Sequence, residues 1–340
     1  MSVSFHHQYI QRDSGTVVTE SLFADRLVNL IYARGREIAP NLFRQLTSRR
    51  GNDLWAYINF DLTAGNPHRA AQRVIQRLNI NLSECLHAET LASPRQVFER
   101  QIRYWQCRPM AVADDQIVSP ADSRMVFGSL ARQSLFFLKE KFFDYDELLG
   151  KTKPLWRKAF VEGQFAIFRL TPEKYHYNHL PVAGRVRDIY TIDGDFHSCN
   201  PGAVVRMVSP YSKNRRVVTI LDTDVPGGTG VGLVAMIEIV ALMIGDIVQC
   251  YSARRYQDPV PLTRGLFVRR GQPKSLYRPG SSVDVLLFQK NRVRFCNDLK
   301  RNLRQTGVQS RFSQGFGRPL VETDVPVRST IAMKEVTHDR

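Results

Sequence analysis

The amino-acid sequence predicts an α+β protein, with a helical N-terminal region over residues 1–110 and a compact β-rich domain over 111–340. Two observations carry that division. Apolar residues in the first third recur at helical spacing. Beyond residue 110, short β-branched or aromatic runs alternate with turn-forming Asp193-Gly194, Asn200-Pro201-Gly202, Pro226-Gly227-Gly228 and Pro279-Gly280.

The elements follow in order. Phe23, Leu27, Leu30 and Ile31 fall on one stripe, and Leu42, Phe43 and Leu46 resume it after Pro40. With basic neighbours such as Arg49-Arg50, this stripe suits a helix lying in a lipid headgroup layer or one docked on the protein's own core. A second helical pattern runs through Ala71, Val74, Ile75 and Leu78, with Pro67 near its start. A third follows Ser93-Pro94, a cap-then-proline start signal, and carries Val97, Phe98 and Ile102. Strands are expected over 165–170, 182–190, 203–208, 217–221, 231–247 and 283–288. The polar stretch 301–317, with Gly307, Gly315 and Gly317, reads as a mobile loop.

Composition narrows the function classes. The 340 residues include 48 Lys+Arg against 32 Asp+Glu, a net charge of +16, with 43% apolar and 24% charged residues. That balance excludes wholesale disorder. No uncharged apolar run approaches the roughly 18 residues of a spanning helix, and the longest, 231–244, contains Glu238. The N-terminus has no apolar signal core. Five cysteines without a C-x-x-C pair argue against a disulfide framework or a cysteine-rich zinc site, and suit a reducing compartment. The basic clusters are scattered and lack interleaved aromatics, so a nucleic-acid partner is not expected, whereas an anionic lipid surface fits the charge.

Four motifs bear on chemistry. Gly227-Gly228-Thr229-Gly230-Val231-Gly232 lacks the Lys-Ser/Thr ending of a phosphate loop and reads as a turn. His176 and His179, in Tyr-His-Tyr-Asn-His-Leu-Pro, have no local Glu or Cys/His cluster. No metal site is therefore expected, and the pair is structural or transfers protons. Asp122, ending Val-Ser-Pro-Ala-Asp, caps a turn or orients a histidine. Gly280-Ser281 opens a turn into an apolar strand. A serine so placed can also attack the preceding glycine carbonyl. The N-to-O acyl shift gives an ester, elimination leaves dehydroalanine, and hydrolysis leaves a pyruvoyl group. That step needs a base, a group orienting the base, and oxyanion stabilisation. His179 and Asp122 are the right types for the first two roles.

In this order, several segments together resemble the phosphatidylserine decarboxylase family over about residues 93–290. They are Phe98-x-Arg100, Arg108-Pro109, the motif ending at Asp122, and Tyr175-His176 with His179, Pro181 and Gly184. Asn200-Pro201, Asn214 with Arg216-Val217-Val218, Ala241 with Gly245, Gly271, and Gly280-Ser281-Ser282-Val283 complete the series. The resemblance implies a carboxy-lyase whose self-processing triad is Asp122, His179 and Ser281. Cleavage between Gly280 and Ser281 would give fragments 1–280 and 281–340, which stay associated. Ser281 would become the pyruvoyl cofactor, which takes the substrate amine as a Schiff base. His176 would assist decarboxylation or reprotonation. The implied reaction converts phosphatidylserine to phosphatidylethanolamine and CO2. A homodimer, cytoplasmic and peripheral at an anionic membrane, is expected. The chain departs from the family pattern at Ser123, Ala183, Arg215, Val240, Pro273 and Ser275. These departures keep open a soluble member acting on a free, possibly aromatic, amino acid. An unprocessed lipid-binding homologue is the remaining alternative.

Overall fold

The computed structural model describes residues 6–22, 66–131, 142–242, 246–280 and 282–335, with a few isolated residues between 25 and 48. Sixteen strands lie among them. In chain order they are β1 (Gln8–Gln11), β2 (Val17–Thr19), β3 (Gln116–Val118), β4 (Ser123–Ser129), β5 (Gln164–Leu170), β6 (Tyr177–His179), β7 (Gly184–Ile192) and β8 (Arg216–Asp222). There follow β9 (Leu233–Val240), β10 (Ile247–Gln249), β11 (Phe267–Val268), β12 (Pro273–Tyr277), β13 (Ser282–Phe288), β14 (Val293–Phe295), β15 (Thr323–Val325) and β16 (Thr330–Lys334). Ten form one sheet in the order β11-β7-β8-β9-β13-β5-β4-β15-β1-β2, and the rest form two three-stranded sheets, β10-β12-β6 and β14-β16-β3.

The sequence of β13, Ser-Val-Asp-Val-Leu-Leu-Phe, explains its central position. All its residues are buried, and it pairs antiparallel with β5 on one side and β9 on the other. Alternation sends Val283, Val285 and Leu287 into one core with Ile167, Ile237 and Ile239. Leu286 and Phe288 enter the opposite core with Phe168 and Met236. Each such side chain contributes roughly 1.5–3 kcal/mol through burial. The mixed helices and strands match the expected α+β class.

Three expectations are corrected. The N-terminal region is not simply helical: β1 and β2 form a hairpin, and β1 lies parallel to β15. Val17-Val18-Thr19 is a β-branched run without a helical stripe, and it finds a ready edge there. Helices do form over Pro67–Arg77 and Pro94–Phe98, where the Asn66 and Ser93 side chains accept from backbone N–H groups two and three residues on. The stripe from Phe23 to Ile31 and the positions Leu42, Phe43 and Leu46 fall outside the described residues, apart from isolated ones between them.

Residues 203–208 are not a strand. Asn200 caps a helix over Pro201–Val204, and Pro201 opens it, which overrides the β-branched Val204-Val205. The stretch 301–317 is not a loop either. Asn297–Leu303 and Arg311–Phe316 are helices, the second capped by Ser310 and ended by Gly317 in the left-handed region. Phe312 and Phe316, one turn apart, anchor it in the core. No helix among the described residues is long and apolar enough to cross a membrane.

Candidate active site

One end of the large sheet collects the sequence-identified residues. Ser282 opens β13 opposite Leu170, which closes β5, and Arg124 near the start of β4 pairs with Arg169. The segment before β4, the turn after β5 and the Gly280 junction therefore converge. β6 is fastened there as well: the His179 N–H donates to the Pro120 carbonyl at 2.7 Å, and the Tyr277 N–H to the His176 carbonyl at 3.1 Å.

Asp122 is buried, and its carboxylate receives the Arg108 guanidinium through Nε (3.0 and 3.1 Å) and Nη2 (2.8 Å). The Val327 N–H adds a bond of 2.7 Å, and Glu84 takes a second Arg108 contact at 3.0 Å. Burial alone would raise the Asp122 pKa, but Arg108 outweighs it and holds the carboxyl below its ordinary range. Asp122 makes no hydrogen bond to His179; it reaches that ring only as a nearby charge.

The histidine tautomers follow from their partners. His179 Nδ1 lies 2.9 Å from the Gly271 carbonyl, which can only accept, so Nδ1 carries the hydrogen. The bare Nε2 accepts from the Tyr175 hydroxyl at 3.0 Å, which in turn lies 2.7 Å from the Tyr256 hydroxyl. His176 Nδ1 likewise donates to the Lys174 carbonyl at 2.8 Å. Its Nε2 is buried with no partner, and its ring lies against Phe98, tilted by 33° with centroids 3.7 Å apart. Burial pulls both imidazoles down to about 3, helped by Arg100 at His176 and by Arg328 at His179. Both are neutral bases at neutral pH, each with an unprotonated Nε2.

Ser281 lies outside the described residues. Beside it, Gly280 holds φ +144°, a conformation closed to residues with a Cβ. The Ser282 hydroxyl is buried without a partner. The Tyr277 hydroxyl spans the junction: it accepts from the Ile239 N–H (3.0 Å) and approaches the Val283 carbonyl (3.0 Å) and Asp284 Oδ1 (2.8 Å).

Sequence reasoning gave no role to the buried polar grouping beneath this junction. Lys274 and Glu238 are an ion pair with neither side chain exposed, and Gln249 and Asn178 bond to them at 2.9–3.1 Å. Asp284 faces Glu238 directly across β13 and β9. Burial and the Glu238 charge push its carboxyl well above the ordinary range. The signal was present: Glu238 and Asp284 are single charges inside apolar strand runs.

Comparison with known proteins bears on all of these positions. The sequence profile of the phosphatidylserine decarboxylase family matches residues 95–317. A protein from Chlamydia trachomatis named phosphatidylserine decarboxylase proenzyme is 33% identical over 225 residues, covering 66% of this chain and 68% of its own. A protein of the same name from Fusobacterium nucleatum is 26% identical over 310 residues, covering 91% of this chain and 95% of its own. A third, from Vibrio vulnificus, is 28% identical over 234 residues, covering 65% and 79%.

Proposed function

Because this chain belongs to the phosphatidylserine decarboxylase family, we propose that it is a self-processing carboxy-lyase converting phosphatidylserine to phosphatidylethanolamine and CO2. The observation carrying this reading is the family match over 95–317, which contains Asp122, His176, His179 and the Gly280–Ser281 junction. The alternatives of a free amino acid substrate or an unprocessed homologue gain no support from the named relatives.

Maturation starts with attack of Ser281 Oγ on the carbonyl of Gly280, a residue with no side chain of its own. The Gly280–Ser281 C–N bond breaks as the ester forms. Elimination then releases the Gly280 carboxylate and leaves dehydroalanine, and water replaces its nitrogen, which departs as ammonia. His179 Nε2 is the base for the first proton, and it must exchange its Tyr175 contact for the serine hydroxyl. Asp122 favours the imidazolium through its charge, as the Arg108 and Val327 contacts already occupy its oxygens.

The surroundings fit a pyruvoyl group derived from Ser281. The Ser282 hydroxyl and His176 Nε2 are buried polar atoms without partners. The pyruvoyl group supplies a ketone that condenses with the substrate amine and takes up the electron pair as CO2 leaves. His176 Nε2 holds or moves a proton there, its ring fixed by Phe98 and the Lys174 carbonyl.

Fragment 281–340 stays attached through β13, which is paired on both sides, and through Glu322–Arg169, Asp324–Lys174 and Asp298–Arg12. The net charge of +16 suits an anionic membrane surface; the homodimer and the cytoplasmic location rest on the family resemblance alone. The test is intact mass of the purified protein together with CO2 release from phosphatidylserine vesicles, free serine and aromatic amino acids. Two fragments and release from the lipid are expected. A single uncut polypeptide overturns self-processing, and release only from free amino acids overturns the lipid substrate.

A further inference from the structure

We propose that the Nε–Nη2 edge of Arg328 is an anion-binding fork that takes the phosphodiester of the substrate, an inference that rests on the lipid-decarboxylase reading above. Arg328 lies in the segment after β15, on the expected small fragment. It adopts φ +70°, an uncommon conformation for a residue with a Cβ. Its N–H donates to the Ser119 carbonyl at 2.9 Å, which anchors that backbone to the Asp122 segment.

The residue is 9% exposed. Nη1 donates to the Tyr104 and Arg108 carbonyls at 2.9 and 2.8 Å, and the guanidinium lies 4.9 Å over the Tyr104 ring. The opposite edge is unused. Nε is buried without a partner, Nη2 forms no hydrogen bond, and no carboxylate pairs with the group. The ionisable groups facing it are Tyr104, Tyr175, Tyr256 and Cys107, all kept neutral by burial.

Other buried or half-buried arginines set the standard. Arg108, Arg124 and Arg169 pair with carboxylates. Arg100 and Arg216 have no acid but commit both Nη groups to backbone carbonyls. Arg124 Nε and Nη1 also lack hydrogen bonds but face the Glu20 and Asp324 carboxylates, so Arg328 alone in this comparison has a two-donor edge with neither a hydrogen bond nor an acid beside it. A guanidinium edge of that shape matches a carboxylate or phosphate oxygen pair. A desolvated guanidinium without a counter-anion is costly, so an anionic ligand would complete the site.

The position is next to the reaction machinery. A Cβ on Gly271 would stand 3.2 Å from Arg328 Nε, and the Gly271 carbonyl orients His179. Of the two anionic groups on phosphatidylserine, the carboxylate is the one lost. A fork on it would stabilise the ground state and oppose reaction. The phosphodiester persists from substrate to product and is the group a fixed fork can use throughout.

The experiment compares cut wild-type protein with Arg328→Gln and Arg328→Lys. Steady-state decarboxylation of short-chain phosphatidylserine is measured with and without glycerophosphoethanolamine, a soluble phosphodiester. Arg328→Gln is expected to raise KM about 10- to 100-fold with kcat within a few-fold, the fragment pattern unchanged, and inhibition weakened in parallel. Arg328→Lys restores part of the affinity, having the charge without the fork. Unchanged KM and inhibition, or a loss confined to kcat, overturns the proposal. Should Arg328→Gln not fold, thermal melts decide: glycerophosphoethanolamine must raise the wild-type midpoint more than that of Arg328→Lys, and equal shifts overturn the site. Arginine-dependent phosphodiester binding in a cut protein that releases no CO2 from the lipid would sink the substrate reading and leave the site standing.

Discussion

At the β1–β15 edge, His7, Glu20, Arg169 and Glu322 form a closed grouping. Arg169 bonds to both carboxylates at 2.6–3.0 Å, and His7 Nε2 lies 2.6 Å from Glu322 while its Nδ1 receives the Arg311 N–H at 3.2 Å. Three ligand atoms of His7, Glu20 and Glu322 lie within 4.8 Å of one another, a spacing a cation could use, but Arg169 already occupies both acids. Around the Gly280 junction, a few residues along β13 and β6, the pattern is reversed. His176 Nε2, Ser282 Oγ and Arg328 Nε are buried with nothing to bond. Burial of polar groups is costly in both places, yet only the first grouping recovers the cost from its own side chains. Saturated charge fastens the N-terminal hairpin to the sheet; unsaturated polar atoms gather where the proposed site lies.

Perturbing each region tests this contrast. The largest effect is expected at His176. His176→Gln removes the free base and should lower turnover by about 10²- to 10⁴-fold while leaving cleavage intact. A wild-type rate by CO2 release would take His176 out of the chemistry. Glu322→Gln acts on the closed grouping. It should cost the cut protein about 3 kcal/mol in denaturant unfolding, since Arg169 loses a buried partner, with kcat of the folded fraction unchanged. Comparable losses of stability and turnover at both sites would erase the distinction.

The pH dependence has a defined sign. His176 and His179 are pulled from 6.5 to about 3, so between those values the unfolded chain binds protons the folded chain refuses. Stability should fall on acidification below pH 6.5, by about 1.4 kcal/mol per pH unit per histidine. Glu20 and Glu322 are depressed, so their contribution is present above 4.5 and is lost as pH falls through their folded values. Melting midpoints between pH 7.5 and 5, with His176→Gln showing the shallower slope, check this. A flat wild-type profile would mean that the buried rings accept a proton. The smallest effect is expected at Asp284. Burial and then the Glu238 charge push its carboxyl up, toward the uncharged form that an amide mimics, so Asp284→Asn should alter unfolding free energy by about 1 kcal/mol or less. A several-fold larger loss would reveal an ionised carboxylate facing Glu238.

Much of the frame was readable along the chain. The run that became β13 was identifiable because no polar residue but Asp284 interrupts it, and Pro67 and the Ser93-Pro94 cap announced their helices. The helix at 201–204 was legible too, had Asn200-Pro201 been weighed above Val204-Val205. The hairpin of β1 and β2 was not. Its strands are three and four residues long, and β1 gains its partner from β15, more than 300 positions away. At the site, Asp122, His176 and His179 stood out as motifs, and they converge at one sheet end. Arg108 as the Asp122 partner, Tyr175 on the His179 base nitrogen and the vacant edge of Arg328 depend on who meets whom across the fold.

By itself the sequence determined the reactive inventory, a glycine–serine bond entering an apolar strand with two histidines and an aspartate upstream, because bond type and local alternation are properties of neighbouring residues. Tertiary structure decided how each group is charged and directed. A carbonyl from Gly271 or Lys174 sets the imidazole tautomers, Arg108 holds the Asp122 carboxyl low, and burial with the Glu238 charge pushes the Asp284 carboxyl up. Solvation and Coulomb energy depend on distance through space, which chain order does not encode.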